Sequence, residues 1–488
     1  MKTNKLILSI VAMSACISIT AQTTFDAAKI YEEDLNGTAR YVGMGGAMSA
    51  LGSDPSVISH NPAGIGTYRK SDINTSLSFL GTSVNTDPLY TVYNQGVGNS
   101  GDNARYFYSN NIKSDFNVSF DNISVIFSGT GMGSNYMNFG FSYRKLLNTD
   151  RNLDYLDKYF VKDNVDPEQK YVLYREYADH QKNKVNSYDF NLSCNLSDML
   201  YLGWTIGILS TDTWSEGYLY DYYPSFDQAS AADKDYTIFD KQTDYTAADR
   251  MSSAQGSGWN MSFGAIIRPI PALRLGVAIK TPTYFKQELV YEDCLYALNG
   301  VIKDGKNYNT STEYKFTSPW SLNLSAGFTI YHTAIGLEYE KHFTQRSSLS
   351  VGNTRMTNQG AIDFKDYSTF KMGIEQNIGN LSLRAGYNST ESMFNDRDRR
   401  NRVSFSDSDF NDSRTDYQID RLGKTQYFTG GIGYCSAPDS DGTQFYFDLA
   451  YVHGVKKSVF NLDEYTEDVD VNYNYKSDKV MFTLGWNF

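Results

Sequence analysis

The chain has few cysteines, which cross-link a fold, and few prolines, which interrupt helices and strands. It has 10 prolines and 4 cysteines among 488 residues, and a formal net charge of −12. Outside a predicted signal sequence, three widely spaced cysteines remain, Cys194, Cys294 and Cys435. An odd, scattered set of this kind excludes a disulfide framework and a clustered metal site. The acidic balance disfavours nucleic acid as a partner, because phosphate binding needs a basic surface.

Long apolar runs are also missing beyond the N-terminus. Lys2, Lys5 and the apolar stretch from Leu6 to Ile19 predict a secretory signal at residues 1–21. The alternative, lipidation at Cys16, is disfavoured because the apolar stretch continues past it. After residue 21 no apolar run approaches the roughly 18–20 residues that a membrane-spanning helix needs. A mature chain that crosses a membrane must therefore do so as a closed β-barrel.

Aromatic residues and two-residue alternation are what the chain has in abundance. There are 39 tyrosines, 28 phenylalanines and 38 glycines, while mean hydropathy is only −0.46. From Tyr188 to Leu196 every even position is apolar or aromatic, and every odd position is small or polar. Alternate side chains of a strand point to opposite faces, so one face suits lipid and the other water. The same alternation predicts strands at 71–80, 114–127, 135–145, 186–196, 200–211, 258–268, 271–282, 315–331, 333–343, 367–377, 380–390, 424–436, 442–454 and 477–488.

The predicted connections alternate between short and long. The segments 128–134 and 197–199 are short, whereas 146–185 and 212–257 are long, and this order continues to the C-terminus. Short turns on one side and long loops on the other are typical of membrane barrels. The sequence therefore predicts an all-β protein, a membrane-spanning antiparallel β-barrel of about fourteen strands at residues 71–488. We expect it in the outer membrane of a Gram-negative-type cell, with both termini periplasmic.

Residues 22–70 do not alternate and form a separate predicted unit. Gly43, Gly45 and Gly46 lie in one glycine-rich stretch, and Asn61-Pro62-Ala63-Gly64 follows it. Proline fixes φ, asparagine bonds its own backbone, and glycine permits close approach. A segment next to the periplasmic mouth of a wide barrel can fill its lumen. These residues therefore predict a hatch, or plug, whose turns either gate the lumen or only shape the plug.

Alternation places charged residues on the lumen side of several strands. They are Asp189, Glu338, Glu340, Lys371, Glu375, Arg384 and Asp448. Two interpretations stay open. The charges could orient a ligand head group, in which case Lys371 or Arg384 would suit a carboxylate, or they could pair with one another in a polar interior. Gly140, in the middle of the predicted third strand, indicates either a kink or a lumen-facing slot.

The sequence offers no constellation for an enzyme, a cofactor or a metal. Acidic stretches at 396–400 and 406–409 lack the spacing of a calcium loop. His453 lies in a late strand, but no nearby serine with an orienting partner accompanies it, as nucleophilic catalysis would need. We therefore expect no catalytic residues, no cofactor and no metal.

Short motifs along the chain carry a family resemblance. They are Arg40-Tyr41-Val42-Gly43-Met44-Gly45-Gly46-Ala47, Asp54-Pro55-Ser56, Asn61-Pro62-Ala63-Gly64, Leu383-Arg384-Ala385-Gly386-Tyr387 and the terminal Phe488. Together they resemble the FadL/TodX family of outer-membrane transporters for hydrophobic compounds. The resemblance covers essentially the whole mature chain.

The resemblance implies a fourteen-stranded barrel with a hatch. It implies passive uptake of a hydrophobic small-molecule ligand, such as a long-chain fatty acid or an aromatic compound, which leaves sideways through the wall at a kinked third strand. It also implies contact with outer-membrane lipid and recognition of Phe488 by the barrel-assembly machinery. Because relatives include haem receptors and components of surface secretion complexes, those functions stay open as alternatives, as does a general polar porin.

Overall fold

The described part of the chain begins inside the predicted hatch. In the computed structural model it comprises residues 33–86, 92–93, 104–109, 117–130, 135–162, 170–223, 244–297, 302–344, 347–351, 354–357, 365–393, 420–461 and 470–488. The predicted signal sequence at 1–21, hatch residues 22–32 and the acidic stretches at 396–400 and 406–409 lie outside the described residues.

Helices occupy only the first portion of the described residues, and strands follow. The α-helix α1 (Ala39–Gly43) precedes two 3-10 helices, Pro55–Ser59 and Pro62–Thr67. No described helix is long and apolar enough to cross a membrane. The described strands are β1 (Asp72–Thr86), β2 (Val92–Tyr93), β3 (Ala104–Ser109), β4 (Asn117–Thr130), β5 (Tyr136–Lys162), β6 (Lys170–Leu196), β7 (Leu200–Tyr223), β8 (Asp244–Ile270), β9 (Leu273–Lys280), β10 (Tyr284–Ala297), β11 (Ile302–Thr317), β12 (Trp320–Ile330), β13 (Thr333–Phe343), β14 (Ser348–Val351), β15 (Thr354–Thr357), β16 (Tyr367–Ile378), β17 (Leu381–Thr390), β18 (Asp420–Cys435), β19 (Gln444–Asn461) and β20 (Asp470–Asn487).

Fourteen of these strands close into one antiparallel barrel. Around the wall the order is β1, β4, β5, β6, β7, β8, β9, β12, β13, β16, β17, β18, β19 and β20, and β20 pairs back with β1. The closing ladder is continuous from Asp72 opposite Asn487 to Thr86 opposite Tyr473. Each predicted strand overlaps one of these fourteen strands, so the predicted barrel is confirmed.

Several predicted strands are too short, and one is interrupted. The segments 135–145, 186–196, 200–211 and 258–268 belong to β5, β6, β7 and β8, which have 27, 27, 24 and 27 residues. A 27-residue strand is roughly 90 Å long, whereas the apolar band of a barrel is about 25 Å tall. The lipid-facing alternation therefore stops well before the hydrogen-bonded ladder does. The segment 315–331 divides into β11 and β12 at Pro319, which has no N–H to donate to a ladder.

The two ends of the barrel differ. Short turns at 197–199, 271–272, 331–332 and 379–380 lie at one end together with the C-terminus, and we call this the turn end. The other is the loop end, where β5 to β8 extend and where β10 and β11 continue the sheet beside β8. The sheet therefore rises highest on the β5–β11 side of the barrel.

The outward face of the wall is apolar and the inward face is polar. On β6, Phe190 and Leu192 are 42% and 44% exposed, while Asp189 and Asn191 are each 1% exposed. The same alternation runs along β7, where Trp204 is exposed and Thr205 is buried. An apolar outside with a polar inside is the arrangement of a barrel that stands in lipid.

Candidate functional site

The N-terminal segment, residues 33–70, lies inside the barrel. Strands on opposite sides of the wall bond to its backbone. Thr205 Oγ1 of β7 donates to the Ile58 carbonyl oxygen (2.8 Å), and Thr429 Oγ1 of β18 donates to that of Gly43 (3.0 Å). Its apolar side chains form one buried cluster with wall residues, which includes Tyr41, Met44, Met48, Ile58, Ile65, Ile126 and Met481. The segment therefore fills the bore.

The predicted hatch turn at Asn61 begins the second 3-10 helix. Asn61 Oδ1 accepts from the Ala63 N–H (3.2 Å), and Pro62 occupies the first position, where its missing N–H costs nothing. At Gly64 an added Cβ would lie 2.6 Å from Val57 Cγ2, so only glycine lets the two 3-10 helices pack this closely.

The predicted glycine turn lies flat against the wall. Gly43 ends α1, and Gly45 and Gly46 adopt left-handed φ angles of +62° and +79°. Beneath this turn four glycines on the inward face are direct cross-strand neighbours, and we call them the glycine ladder: Gly327, Gly336, Gly373 and Gly386. A Cβ on Gly336 or Gly373 would collide with the carbonyl oxygen of Ala47 or Met44. The ladder thus lets the segment's backbone touch the wall directly.

Three of the predicted lumen charges form a buried chain that begins on the segment. Arg40 donates through Nε and Nη2 to both oxygens of Glu375, each at 2.9 Å. Arg384 donates to the same carboxylate (2.7 Å) and to Asp448 (2.5 Å). The four side chains alternate in sign across β16, β17 and β19. The segment's own arginine therefore completes an ion-pair chain of the wall.

Three more of the predicted lumen charges form a second cluster on β13 and β16. Lys371 Nζ lies 2.7 Å from Glu338 Oε1 and 3.4 Å from Glu340 Oε2. The Ser49 N–H of the segment donates to Glu338 (3.3 Å), and His60 Nδ1 lies 3.7 Å from Glu340. Lys371 and Arg384, the two cations suggested for a ligand carboxylate, are thus each held by two protein carboxylates.

Asp189, the remaining lumen charge, lies alone on β6. It is buried and accepts from Ser187 Oγ (2.7 Å). The structure does not bring it into either ion-pair cluster.

His60, Glu338 and Glu340 have ligand atoms within 4.8 Å of one another, as a metal site requires. Two contacts argue against a metal there. The Lys371 ammonium already lies between the carboxylates. In addition, Arg144 Nη1 faces His60 Nε2 at 3.4 Å, so that nitrogen must accept and the proton must lie on Nδ1. We assign no metal to this group.

Arg144 contacts the segment, although the alternation did not single it out. It lies on β5, is 2% exposed, and donates to the Ser56 carbonyl oxygen (3.2 Å) and to Ser59 Oγ. Its cation therefore holds the C-terminal end of the first 3-10 helix to the wall. The sequence could have indicated this contact, because Arg144 is a charged residue at an inward position. It was missed because that position lies at the edge of the predicted strand 135–145.

A cavity of about 120 Å³ lies in the bore beside the segment. One side is apolar and is lined by Leu146, Val185, Leu209 and Phe285. The other side is charged and includes Glu33, Asp34, His60, Arg144, Lys280 and Lys456. The cavity thus offers an apolar and an ionic surface to one molecule.

The wall has a break between β4 and β5 next to this cavity. Among the described residues, the β4–β5 ladder ends at Asn122 opposite Arg144, and β5 is next paired on that side at Tyr155, with β3. Along the unpaired stretch the segment supplies the partners. The Asp34 N–H donates to the Leu146 carbonyl oxygen (2.9 Å), and Asn36 Nδ2 donates to that of Lys145 (2.8 Å).

The sequence left open whether Gly140 marks a kink or a lumen-facing slot, and the irregularity of β5 lies farther along the strand. Gly140 is regularly paired with Ile126 and Asn191, whereas the β5–β6 register shifts between Lys145 and Leu147. The Gly140 slot faces the segment, because an added Cβ would lie 3.5 Å from Ile58 Cδ1. The irregularity falls at 145–147 because these residues bond to the segment and not to β4.

The comparison with solved structures agrees with this architecture, whereas the two sequence comparisons found nothing. No family model and no curated protein sequence matches the chain. A FadL homologue from Pseudomonas aeruginosa is similar in structure, with a TM-score of 0.60 and 14% identity over 94% of this chain and 99% of that chain. This chain has the FadL fold. The toluene transporter TodX from Pseudomonas putida, with a TM-score of 0.50 and 12% identity, covers 93% of this chain and 98% of its own. At 14% and 12% identity, these likenesses show a shared fold and nothing beyond it.

Proposed function

We propose that the chain is an outer-membrane channel for passive uptake of hydrophobic small molecules, and that residues 22–70 are its hatch. The observation that carries this proposal is the N-terminal segment itself, which fills the bore and also occupies the break in the wall. The apolar outward face and the likeness to a protein described as a toluene transporter support it. The chain acts as a conduit and not as an enzyme.

The proposed route runs from the loop end into the cavity and then sideways into lipid. The apolar side of the cavity, at Leu146 and Val185, lies next to the break between β4 and β5. A hydrophobic molecule gains free energy there by leaving water, at about 25 cal/mol for each Å² of apolar surface buried. Asp34 and Asn36 must leave the edge of β5 before the molecule can pass.

The Arg40 ion pair and the polar contact of His60 hold the hatch closed in this proposal. Arg40 and His60 reach from the hatch to Glu375 and Glu340 of the wall, while Lys371 and Arg384 neutralise the wall from within. The turns at Gly45 and Asn61 act as a gate when these contacts are released. Phe488, which is 55% exposed and backbone-paired with Ser71, ends the last strand where the assembly machinery would read it.

The test is the uptake of radiolabelled toluene into proteoliposomes that contain the wild type or Asn36→Ala. The variant loses the two bonds that Asn36 Nδ2 donates, to the Lys145 carbonyl oxygen and to Asp121 (3.1 Å), and the one that Asn36 Oδ1 accepts from the Gly37 N–H (3.0 Å). Uptake by the wild type, and faster uptake by the variant, are expected. Asn377→Ala, at the exposed turn end, is the matched control and should behave like the wild type. Uptake no faster than in empty vesicles would overturn the proposal.

A second candidate function is a scaffold in a surface secretion complex. The tall sheet formed by β5 to β8 at the loop end favours it, because a channel for small molecules does not need strands of 24–27 residues. Stoichiometric partner proteins that co-purify only when this sheet is intact would support it. The haem-receptor alternative predicts a haem absorption band in the purified protein.

A further inference from the structure

The first two described residues of the hatch place carboxylates in the cavity. Glu33 Oε1 lies 2.7 Å from Lys280 Nζ of β9. Asp34 Oδ1 lies 3.1 Å from Lys456 Nζ of β19 and accepts from the Tyr427 hydroxyl, also at 3.1 Å. Because β9 and β19 belong to distant parts of the wall, this short stretch spans the bore.

Both carboxylates lie in surroundings built for an anion. Desolvation inside the bore would raise the pKa of Glu33, but the charge of Lys280, helped by His60 and Arg144, lowers it to about 2. At Asp34 desolvation would also raise the pKa, but the charges of Lys456 and Lys479 outweigh it, and the pKa is lowered. Both groups are therefore ionised at neutral pH. The Glu33 side chain is 35% exposed, so it is open to exchange with a molecule from the cavity.

The cavity is too small for a ligand while the two residues stay in place. Its 120 Å³ is below the ~300 Å³ at which sites for drug-sized molecules begin. The apolar surface at Leu209 and Phe285 and the cationic surface at Lys280 border the same space. A molecule that uses both surfaces must take the position that Glu33 holds.

We propose that Glu33 and Asp34 are an internal substitute for the head group of an anionic amphiphile. This inference rests on the proposed uptake function and adds its regulation. An amphiphile with one carboxylate binds Lys280 in place of Glu33 and lays its apolar body on Leu146, Val185, Leu209 and Phe285. No covalent step is involved.

Displacement also releases the wall break. Asp34 donates its N–H to the Leu146 carbonyl oxygen (2.9 Å), and the Asn148 N–H faces Asp34 Oδ2 at 3.5 Å. Because Asp34 directly follows Glu33 in the chain, displacement of Glu33 pulls Asp34 away from Lys456, Tyr427 and the Leu146 carbonyl oxygen, and the edge of β5 is freed. Binding of the amphiphile thus favours the state in which the side exit is open.

The experiment is calorimetric titration of the detergent-purified full chain with two probes, laurate and uncharged dodecanol. An internal competitor lowers the apparent affinity for the ligand in proportion to the fraction of chains in which the site is vacant. If the vacant state is a minor state, with a population of up to about 10%, the apparent affinity falls at least about tenfold. Glu33→Gln/Asp34→Asn should therefore bind laurate at least about tenfold more tightly than the wild type, with dodecanol unchanged. Lys280→Met/Lys456→Met should lose the preference for laurate over dodecanol.

Glu391→Gln is the matched control, since Glu391 also lines the cavity but accepts from the Ser368 N–H (3.1 Å). It should leave both affinities unchanged. Dodecanol binding with no gain for laurate in Glu33→Gln/Asp34→Asn would overturn this inference and leave the uptake function standing. If neither probe binds to the wild type or to any variant, both are overturned. Circular dichroism confirms that each variant keeps its strands.

Discussion

Arg40 and Glu375 form a bidentate ion pair between the hatch and the wall, with both N–O distances at 2.9 Å. The pair is not isolated, because Arg384 of β17 donates to the same Glu375 oxygen that Arg40 Nε uses (2.7 Å). Glu375 is therefore shared by a cation that can leave with the hatch and a cation that cannot. The two sides of the contact should respond differently to mutation.

Arg40→Met should loosen the hatch while the barrel stays intact, because Glu375 keeps Arg384 as its partner. We expect a loss of about 1–3 kcal/mol in the free energy of unfolding and a rise in single-channel current in planar bilayers. Glu375→Gln leaves Arg40 and Arg384 facing each other without the carboxylate, and such buried losses cost about 3–5 kcal/mol. Equal unfolding midpoints for the two variants in guanidinium would contradict the sharing of Glu375.

A side chain on the glycine ladder should push the hatch off the wall. Gly373→Val introduces a Cβ that collides with the Met44 carbonyl oxygen. Overpacking of this kind costs about 1–3 kcal/mol, and here the hatch can give way more easily than the sheet. We expect higher ion conductance than for the wild type.

Gly430→Val is the control for this change. Gly430 also lies in a barrel strand, but its added Cβ would meet nothing nearer than the Arg384 carbonyl oxygen at 3.8 Å. It should conduct like the wild type. If both valines raise conductance alike, strand packing and not the hatch contact is responsible.

The sequence is sufficient to predict the wall and the side on which each charge lies. Two-residue periodicity places Glu338 and Lys371 in the lumen without any structure, because a strand has only two faces. It does not show that they pair with each other, since that depends on the register between β13 and β16. The glycine ladder was missed for the same reason, as each glycine is ordinary in its own strand.

The position of the irregularity in β5 could not be predicted either. Gly140 has the composition of a kink, but the register shifts at 145–147, where the chain bonds to Asp34 and Asn36 from a distant part of the sequence. The predicted lengths of the strands were wrong for a different physical reason. Beyond the apolar band neither face of a strand has to be apolar, so the ladder of β6 continues where the alternation in the sequence stops.

A disulfide between hatch and wall should block transport reversibly. An ideal Cβ on Gly276 of β9 lies 3.5 Å from Ala50 Cβ, at the short end of the about 3.5–4.5 Å found in disulfides. Ala50→Cys/Gly276→Cys should lose toluene uptake under oxidising conditions and regain it with a reductant. Each single cysteine variant controls for crowding at Ser325 and Asn61. Undiminished uptake by the fully oxidised protein would show that this part of the hatch does not need to move.

Acid should destabilise the closed hatch through His60. Its ring stacks on Tyr41 (5.8 Å), its Nε2 faces Arg144, its Nδ1 faces Glu340, and Lys371 is close by. Burial, and then the charges of Lys371 and Arg144, outweigh Glu340 and lower the pKa of His60 below its ordinary 6.5. The folded chain therefore binds fewer protons at this residue than the unfolded chain does. Stability is present above pH ~6.5 and is lost as the pH falls below it.

His60→Gln removes this titration and keeps a polar side chain. Between about pH 7.5 and about pH 5.5 the wild type should lose more unfolding free energy than His60→Gln does. His180→Gln is the matched control, because His180 lies on β6 with a side chain that is 34% exposed and bound to Asp150 (2.8 Å). It should keep the pH dependence of the wild type. If His60→Gln is as sensitive to acid as the wild type, a group other than His60 must carry the response.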